Sequence, residues 1–307
     1  LSASFALALR AAHEAAATQH YPQAALYVVA TPIGNLADIG LRALHVLQLV
    51  DAIACEDTRH TQSLLRAYGL ERPGAQLLAA HQHNEAEAAQ AVLARLQQGQ
   101  RVAYVSDAGT PALSDPGARL VAAARAAGFA VVPLPGASSV TTALSVAGIA
   151  EDPAFVFMGF LPSKTGERDA AVQVLAADPR AVVLLEAPHR IEALARALAP
   201  VGARPVTVGR ELTKQFEEIA TVAAQELPAW LAAQPTRTRG EFALVVHPAP
   251  ASAEPAQDLR VLQLLLPELP LKTAVRLAAE ITGQPRNALY AQALRLKPQR
   301  DEEAGEN

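Results

Sequence analysis

The sequence predicts an α/β protein: two α/β domains in succession, then a small helical region. Three observations carry this. From residue 25 onward, short apolar runs rich in Val, Ile and Leu alternate with segments of helical periodicity, the pattern of βαβ units. Several runs break off in turns of glycine and small polar residues, as in RVAYVSDAGTPALSDPG at 101–117. Finally, 307 residues, 51% hydrophobic and 18% charged, suffice for two ordinary domains and are too apolar for a disordered chain.

Residues 1–24 hold a short apolar stretch with no basic segment before it. They do not read as a secretory signal and are expected to form a poorly ordered extension. Leu26–Thr31 is the first strand, running into Pro32-Ile33-Gly34-Asn35, and a helix follows over 39–50. Asp51–Asp57 is the second and ends on two acids, Glu56 and Asp57, before Thr58-Arg59 open a helix to Tyr68. Leu77–His81 is the third, followed by a helix to Gln97. The fourth, Val102–Val105, leaves through Ser106-Asp107-Ala108-Gly109-Thr110-Pro111, and Ser114-Asp115-Pro116 opens a helix with Asp115 as cap and Pro116 in its first turn. The fifth, Val131–Pro135, passes through Gly136-Ala137-Ser138-Ser139 into the helix VTTALSVAG. Strands separated by helices imply a parallel sheet over 25–150.

Glu151-Asp152-Pro153 reads as a link to a second α/β domain over 151–250, with a mixed sheet. Its strands fall at Ala154–Phe160, Ala181–Ala187, Pro205–Glu211, Glu217–Val222 and Glu241–His247. The loop FLPSKTGER contains Lys-Thr-Gly without the upstream glycines of a phosphate-binding loop. Pro-Ala-Pro-Ala-Ser at 248–252 begins a linker that extends to 258. Residues 259–298 read as two or three short helices, broken at Pro267, Pro270 and Gly283-Gln284-Pro285, and 299–307 form an acidic tail.

Net charge is −4, which argues against a broad nucleic-acid-binding face. Between 259 and 297, however, Arg260, Lys272, Arg276, Arg286, Arg295 and Lys297 face only Glu268 and Glu280. One cysteine, Cys55, leaves no internal disulfide and fits a reducing cytoplasm. No apolar run approaches the ~20 residues that span a bilayer, so no membrane role is expected. His81 and His83 lie near Glu85 but lack further ligands at zinc spacing, and no metal is expected.

The turns at Gly109 and Gly136 bring backbone N–H groups to the carboxyl ends of strands, where open α/β sheets bind ligands. Two such turns suit a ligand carrying a carboxylate, a ribose or a phosphate. The bland alternative is that the glycines only make turns and Ser138 only caps a helix.

The stretches TPIGNLADI, EDTRHT, SDAGTPALSDPG, PGASS, EAPHRI and GEFALVV together resemble the tetrapyrrole methylase superfamily of S-adenosylmethionine-dependent enzymes, over about Ala25 to Lys297. EDTR and EAPHR mark its RNA-modifying branch. The resemblance implies two α/β domains with the methyl donor in the cleft between them, a homodimer, and 2′-O-methylation of a cytidine ribose in the decoding region of 16S rRNA, the substrate being met within the small ribosomal subunit. It sets the donor against Pro32, Gly34, Asp107, Ala108, Gly109, Thr110, Ser114, Gly136, Ser138, Ser139, Ala187 and Pro188. In porphyrin-modifying relatives a Gly-Gly-Asp-Pro turn stands where this chain has Ala108-Gly109-Thr110-Pro111, one acid fewer. The other reading within the fold is a C-methyltransferase acting on a tetrapyrrole. A non-catalytic RNA-binding assembly module is the alternative outside catalysis.

Methyl transfer to a ribose hydroxyl is an in-line displacement that needs alignment and a group to receive the proton. Glu56 or Asp57 is expected to take or orient that proton, with Arg59 pairing an RNA phosphate or these acids. Alternatively, Asp57 caps the next helix and Arg59 makes a surface pair. Glu186 is expected to face the cleft, with His189 or Arg190 holding phosphate or ribose, unless His189 merely starts a helix. Arg210 and Lys214 form a further cationic group for RNA or a local ion pair. Lys272 and Arg286 would carry RNA contact by the helical tail, whose leucines otherwise serve packing.

Overall fold

The structure, a computed structural model, describes residues 5–81, 84–113, 117–150, 154–249 and 256–296. Two five-stranded sheets belong to one compact unit, residues 1–249. The first is built from α1 (Ala6–Ala16), β1 (Ala25–Val29), α2 (Leu41–Leu49), β2 (Ala52–Cys55), α3 (Thr58–Ala67), β3 (Leu77–Ala79), α4 (Glu85–Gln97), β4 (Val102–Val105), α5 (Gly117–Ala126), β5 (Ala130–Leu134) and α6 (Ser139–Val146). All its paired strands run parallel, in the order β3-β2-β4-β1-β5.

Side-chain alternation explains why these apolar runs become buried strands. Tyr27, Val29, Ala103 and Val105 face α2 and α3, whereas Leu26, Val102 and Tyr104 face α4 and α5. The neighbours β1 and β4 send the chain to opposite sides of the sheet, β1 toward β2 and β4 toward β5. Such a reversal opens a crevice at the carboxyl ends of the two strands. There, Thr31 and Gly109 exchange backbone hydrogen bonds of 3.0 and 3.1 Å.

The expectation of a disordered extension over 1–24 fails for residues 6–16, which form α1. This segment is rich in good helix formers, and its spacing puts Ala8, Ala12 and Ala16 on one face. Ala12 and Ala16 are buried, and the Phe5 ring meets Tyr68 edge-on at 4.9 Å. Composition at a chain end suggested fraying; the amphipathic stripe outweighs it. The capping residues expected at Ser114-Asp115-Pro116 and the link at Glu151-Asp152-Pro153 lie outside the described residues.

The second sheet follows from β6 (Phe155–Gly159), α7 (Thr165–Ala177), β7 (Ala181–Glu186), α8 (Ile191–Leu198), β8 (Pro205–Arg210), β9 (Glu218–Ala223), α9 (Leu227–Ala232) and β10 (Phe242–Val246). It is mixed: the order is β6-β7-β10-β8-β9, with only β6 and β7 parallel. Val182, Leu184, Val206, Val208 and Leu244 pack under α7, α8 and α9. On the opposite face Ala181, Val183, Ala243 and Val245 meet Val140 and Ala143 of α6. A helix of the first half thus covers the second sheet, which brings the turn before α6 to the seam between the sheets.

Residues 250–307 form a separate unit. Its three helices, α10 (Ala256–Leu265), α11 (Leu271–Thr282) and α12 (Arg286–Leu296), close around Leu262, Val275, Ala278, Leu289 and Ala293.

Candidate active site

A cleft of about 460 Å³ opens at the seam, a volume suited to one small molecule. Its first-sheet side is the Ser106–Thr110 turn, Glu56, and Ser138 and Ser139 at the start of α6. Its second-sheet side includes Phe157, Leu185, Glu186, Ala187, Pro188 and Leu212. The apolar members give flat surface, and the turns give backbone donors and acceptors.

The two glycine turns meet here. Thr110 Oγ1 donates to the Ala137 carbonyl at 3.0 Å. Gly109 has φ +81°, and a Cβ there would come within 3.2 Å of Ile33 Cγ2. The left-handed backbone favours glycine here, and a Cβ would also need Ile33 to give way by a few tenths of an ångström. Gly136 serves differently: it lets the chain pass Ala30, whose Cβ a side chain would approach to 2.8 Å, and it does not line the cleft. Pro32 is buried and Gly34 lies against Lys214; neither lines the cleft. Asp107, Ala108, Gly109, Thr110, Ser138, Ser139, Ala187 and Pro188 all do. Ser114 is outside the described residues. Ser138 precedes α6 without a side-chain capping bond, so its hydroxyl is not committed to that helix end.

The acids separate by environment. Asp57 caps α3, accepting from the Arg59 and His60 N–H groups at 2.8 and 3.3 Å. Its carboxylate also meets the Arg59 guanidinium at 3.2 Å. Those bonds from Arg59 hold its pKa below the usual carboxylate range. Asp57 and Arg59 do not line the cleft; of the two acids expected to serve the hydroxyl, Asp57 caps α3 and Glu56 lines the cleft. Glu56 and Asp107 do line it, and Asp107 Oδ1 accepts the Asp57 N–H at 3.3 Å.

Glu186, at the end of β7, is only 2% exposed and lines the cleft. Its Oε1 accepts the Ala187 N–H at 2.9 Å and lies 3.1 Å from Arg190 Nε. Its Oε2 is buried with no hydrogen-bond partner. A buried carboxylate oxygen left alone is costly. Arg190 also donates to the Leu161 carbonyl, so its guanidinium is held by Glu186 and by backbone. His189 is exposed and outside the cleft.

Arg210 is 8% exposed, paired with Glu218 at 3.3 Å and bonded to the Arg239 and Phe216 carbonyls. It is a structural cation, and its expected RNA role yields to these bonds. Lys214 lines the cleft between Glu211 and Glu241, at 2.8 and 2.9 Å. Burial opposes its charge, but hydrogen bonds to the two carboxylates outweigh this and raise its pKa. Lys272 and Arg286 are exposed in the helical unit, with Arg286 3.7 Å from Glu280.

Sequence reasoning passed over Phe157, Leu185, Leu212 and Glu241. Glu241 looked like an ordinary strand-end residue. Because β10 runs antiparallel to β7, pairing Phe242 with Glu186, its start lies beside the end of β7, and strand direction was the missing signal. Among the described residues no three or more His, Cys, Asp or Glu side chains form a metal-binding group, and no helix is long and apolar enough to cross a membrane. His83 lies outside them.

Residues 25–228 match the family model for Tetrapyrrole (Corrin/Porphyrin) Methylases, and 252–297 match the RsmI C-terminal HTH domain. The chain is 50% identical over 276 residues to Ribosomal RNA small subunit methyltransferase I of Escherichia coli O157:H7, covering 89% of this chain and 95% of that one. The protein of the same name from Pseudomonas aeruginosa is 48% identical over 275 residues, with 88% and 96% covered. Among solved structures, a cobalt precorrin-4 methyltransferase superposes with TM-score 0.53 at 19% identity, over 72% of this chain and 94% of its own. Uroporphyrin-III C-methyltransferase of Thermus thermophilus gives 0.51 at 20%, over 73% and 94%. At these identities the two structures speak for the fold alone. The long, well-covered match to the family model and the near-half identity with full-length relatives make one conclusion plain: the chain belongs to the tetrapyrrole methylase family and is a methyltransferase.

Proposed function

We propose that the protein transfers the methyl group of S-adenosylmethionine to the 2′-hydroxyl of a cytidine ribose in the decoding region of 16S rRNA. The cleft at the seam of the two sheets carries the reading, together with the names of the full-length relatives. Its residues fit the donor. The Gly109 turn brings bare backbone to the cleft, Phe157, Leu185 and Leu212 offer an apolar slot, and Asp107, Glu56 and Glu186 offer oxygens to a cation. When bound, the donor supplies an electrophilic methyl on sulfur. Glu186, which lines the cleft, takes or orients the proton of the attacking hydroxyl, its carboxylate held in place by the Ala187 N–H and Arg190. Alignment in a closed cleft contributes several kcal/mol, and a positioned base ~10²–10⁴-fold. The small subunit as substrate particle, a homodimeric assembly, a cytoplasmic setting and RNA contacts by Lys272 and Arg286 belong to the same proposal.

The test is transfer from methyl-labelled S-adenosylmethionine to small subunits, free 16S rRNA and a porphyrinogen, followed by mapping of the labelled atom. Label on one cytidine 2′-oxygen is expected. Label on porphyrinogen carbon with none on ribose would refute the reading.

A further inference from the structure

Charge in the cleft is unequal. Glu56, Asp107, Glu186 and Glu241 line it, and Lys214 is the one cationic side chain among the described lining residues. An acid-rich cleft suits a cationic methyl donor but repels a polyanionic acceptor, so an RNA strand needs a compensating contact. The cleft is of small-molecule size, about 460 Å³. A polymer can put one nucleotide into such a space, and its flanking phosphates stay at the rim.

Lys214, whose side chain is 29% exposed, is held in the cleft lining by an unusual local build. It follows a turn in which Glu211 and Thr213 adopt left-handed backbone, φ 52° and 67°, a conformation non-glycine residues rarely take. The Lys214 stem packs on Gly34, where a Cβ would overlap its Cγ, and Glu211 packs on Gly240 in the same way. The Asn35 N–H donates to Thr213 Oγ1 at 3.1 Å, tying the β1 loop to this turn. The two carboxylate partners differ. Glu211, 20% exposed, also accepts the Glu241 N–H at 2.9 Å. Glu241 is 74% exposed and holds the ammonium through Oε2. An ion pair with one partner in water is readily exchanged.

We propose that Lys214 anchors the acceptor RNA: its ammonium leaves Glu241 for a backbone phosphate beside the ribose in the cleft, while Glu211 keeps hold of it. Glu241 is therefore a competitor for the anchor. It occupies Lys214 until a phosphate of the acceptor displaces it. The inference rests on the RNA-methylation reading above.

The test measures binding of a 16S rRNA decoding-region transcript over a salt series, and of S-adenosylmethionine by calorimetry. Lys214→Met weakens RNA binding about tenfold and lowers the slope of log affinity against log salt by about 0.7 to 0.9, one phosphate contact. Lys214→Arg retains most of the affinity. Glu241→Gln, which frees the ammonium, tightens RNA binding several-fold, and it carries the test alone should Lys214→Met fail to fold. Both residues line the donor cleft, and any change in donor affinity is smaller than the change in RNA affinity. Unchanged RNA affinity in Lys214→Met would overturn the proposal, as would weaker RNA binding in Glu241→Gln or a loss confined to the donor. If wild type methylates the transcript while Lys214→Met binds it normally, only this inference falls. If wild type methylates no RNA, the functional reading falls first.

Discussion

Glu186 and Asp57 are both acids at the ends of strands, and their surroundings assign them different work. Asp57 spends its oxygens on two N–H groups and a guanidinium, whereas Glu186 keeps one oxygen buried and unbonded at the cleft. Glu186→Gln is expected to lower kcat by ~10²–10⁴-fold. Asp57→Asn keeps a good cap and should stay within about threefold of wild type. Single-turnover kinetics check both, and full activity in Glu186→Gln would move the base elsewhere. Gly109→Val combines a left-handed backbone with contact on Ile33. The strain is on the order of 1–3 kcal/mol, and calorimetry should find donor affinity down at least tenfold; wild-type affinity would remove the turn from the donor site. Gly109 stood out by residue type because glycine turns after strands line ligand crevices in open α/β sheets, while the same turns also occur with no ligand. Glu241 did not stand out, since its place depends on a strand direction that its neighbours in sequence do not reveal.

At the level of elements, the first sheet was legible because its inner strands β1, β2 and β4 are buried on both faces and so appear as unbroken apolar runs. Strand bounds moved by a residue or two, where the ends leave the ladder. α1 was misread because short alanine-rich ends resemble disordered ones until their buried stripe is matched to a partner. That partner is α2, whose His45 is 7% exposed and stacks near His13 and Tyr21, with ring centroids 5.7 and 5.0 Å away. Burial, and then the neighbouring His13, lowers the His45 pKa. Burial and then Arg204 do the same for His247, which hydrogen-bonds Thr207 at 2.7 Å. In the unfolded chain these imidazoles protonate near the ordinary value of ~6.5, so below it the unfolded state binds more protons and stability declines. Denaturant titrations should show unfolding free energy falling as pH drops from about 7 to 5. His45→Asn and His247→Asn should flatten that slope, and a slope unchanged in both variants would contradict the assignment.

Across residues 1–249 the site exists only because two sheets share α6. Neither half closes a cleft alone: the first supplies turns and acids, and the second supplies apolar walls, Glu186 and Lys214. Motif resemblance pointed to this seam, but periodicity could not show which face of the second sheet meets it, because both faces carry apolar residues. That ambiguity concealed Phe157 and Leu185, and Leu212 lies in the turn after β8, where periodicity says nothing. The most direct measurement is a crystal structure with S-adenosylhomocysteine bound. The adenosyl group should lie in the seam, in contact with the Gly109 turn on one side and with Leu185, Ala187 or Pro188 on the other. Density for the ligand elsewhere on the molecule, with the seam left empty, would contradict this site.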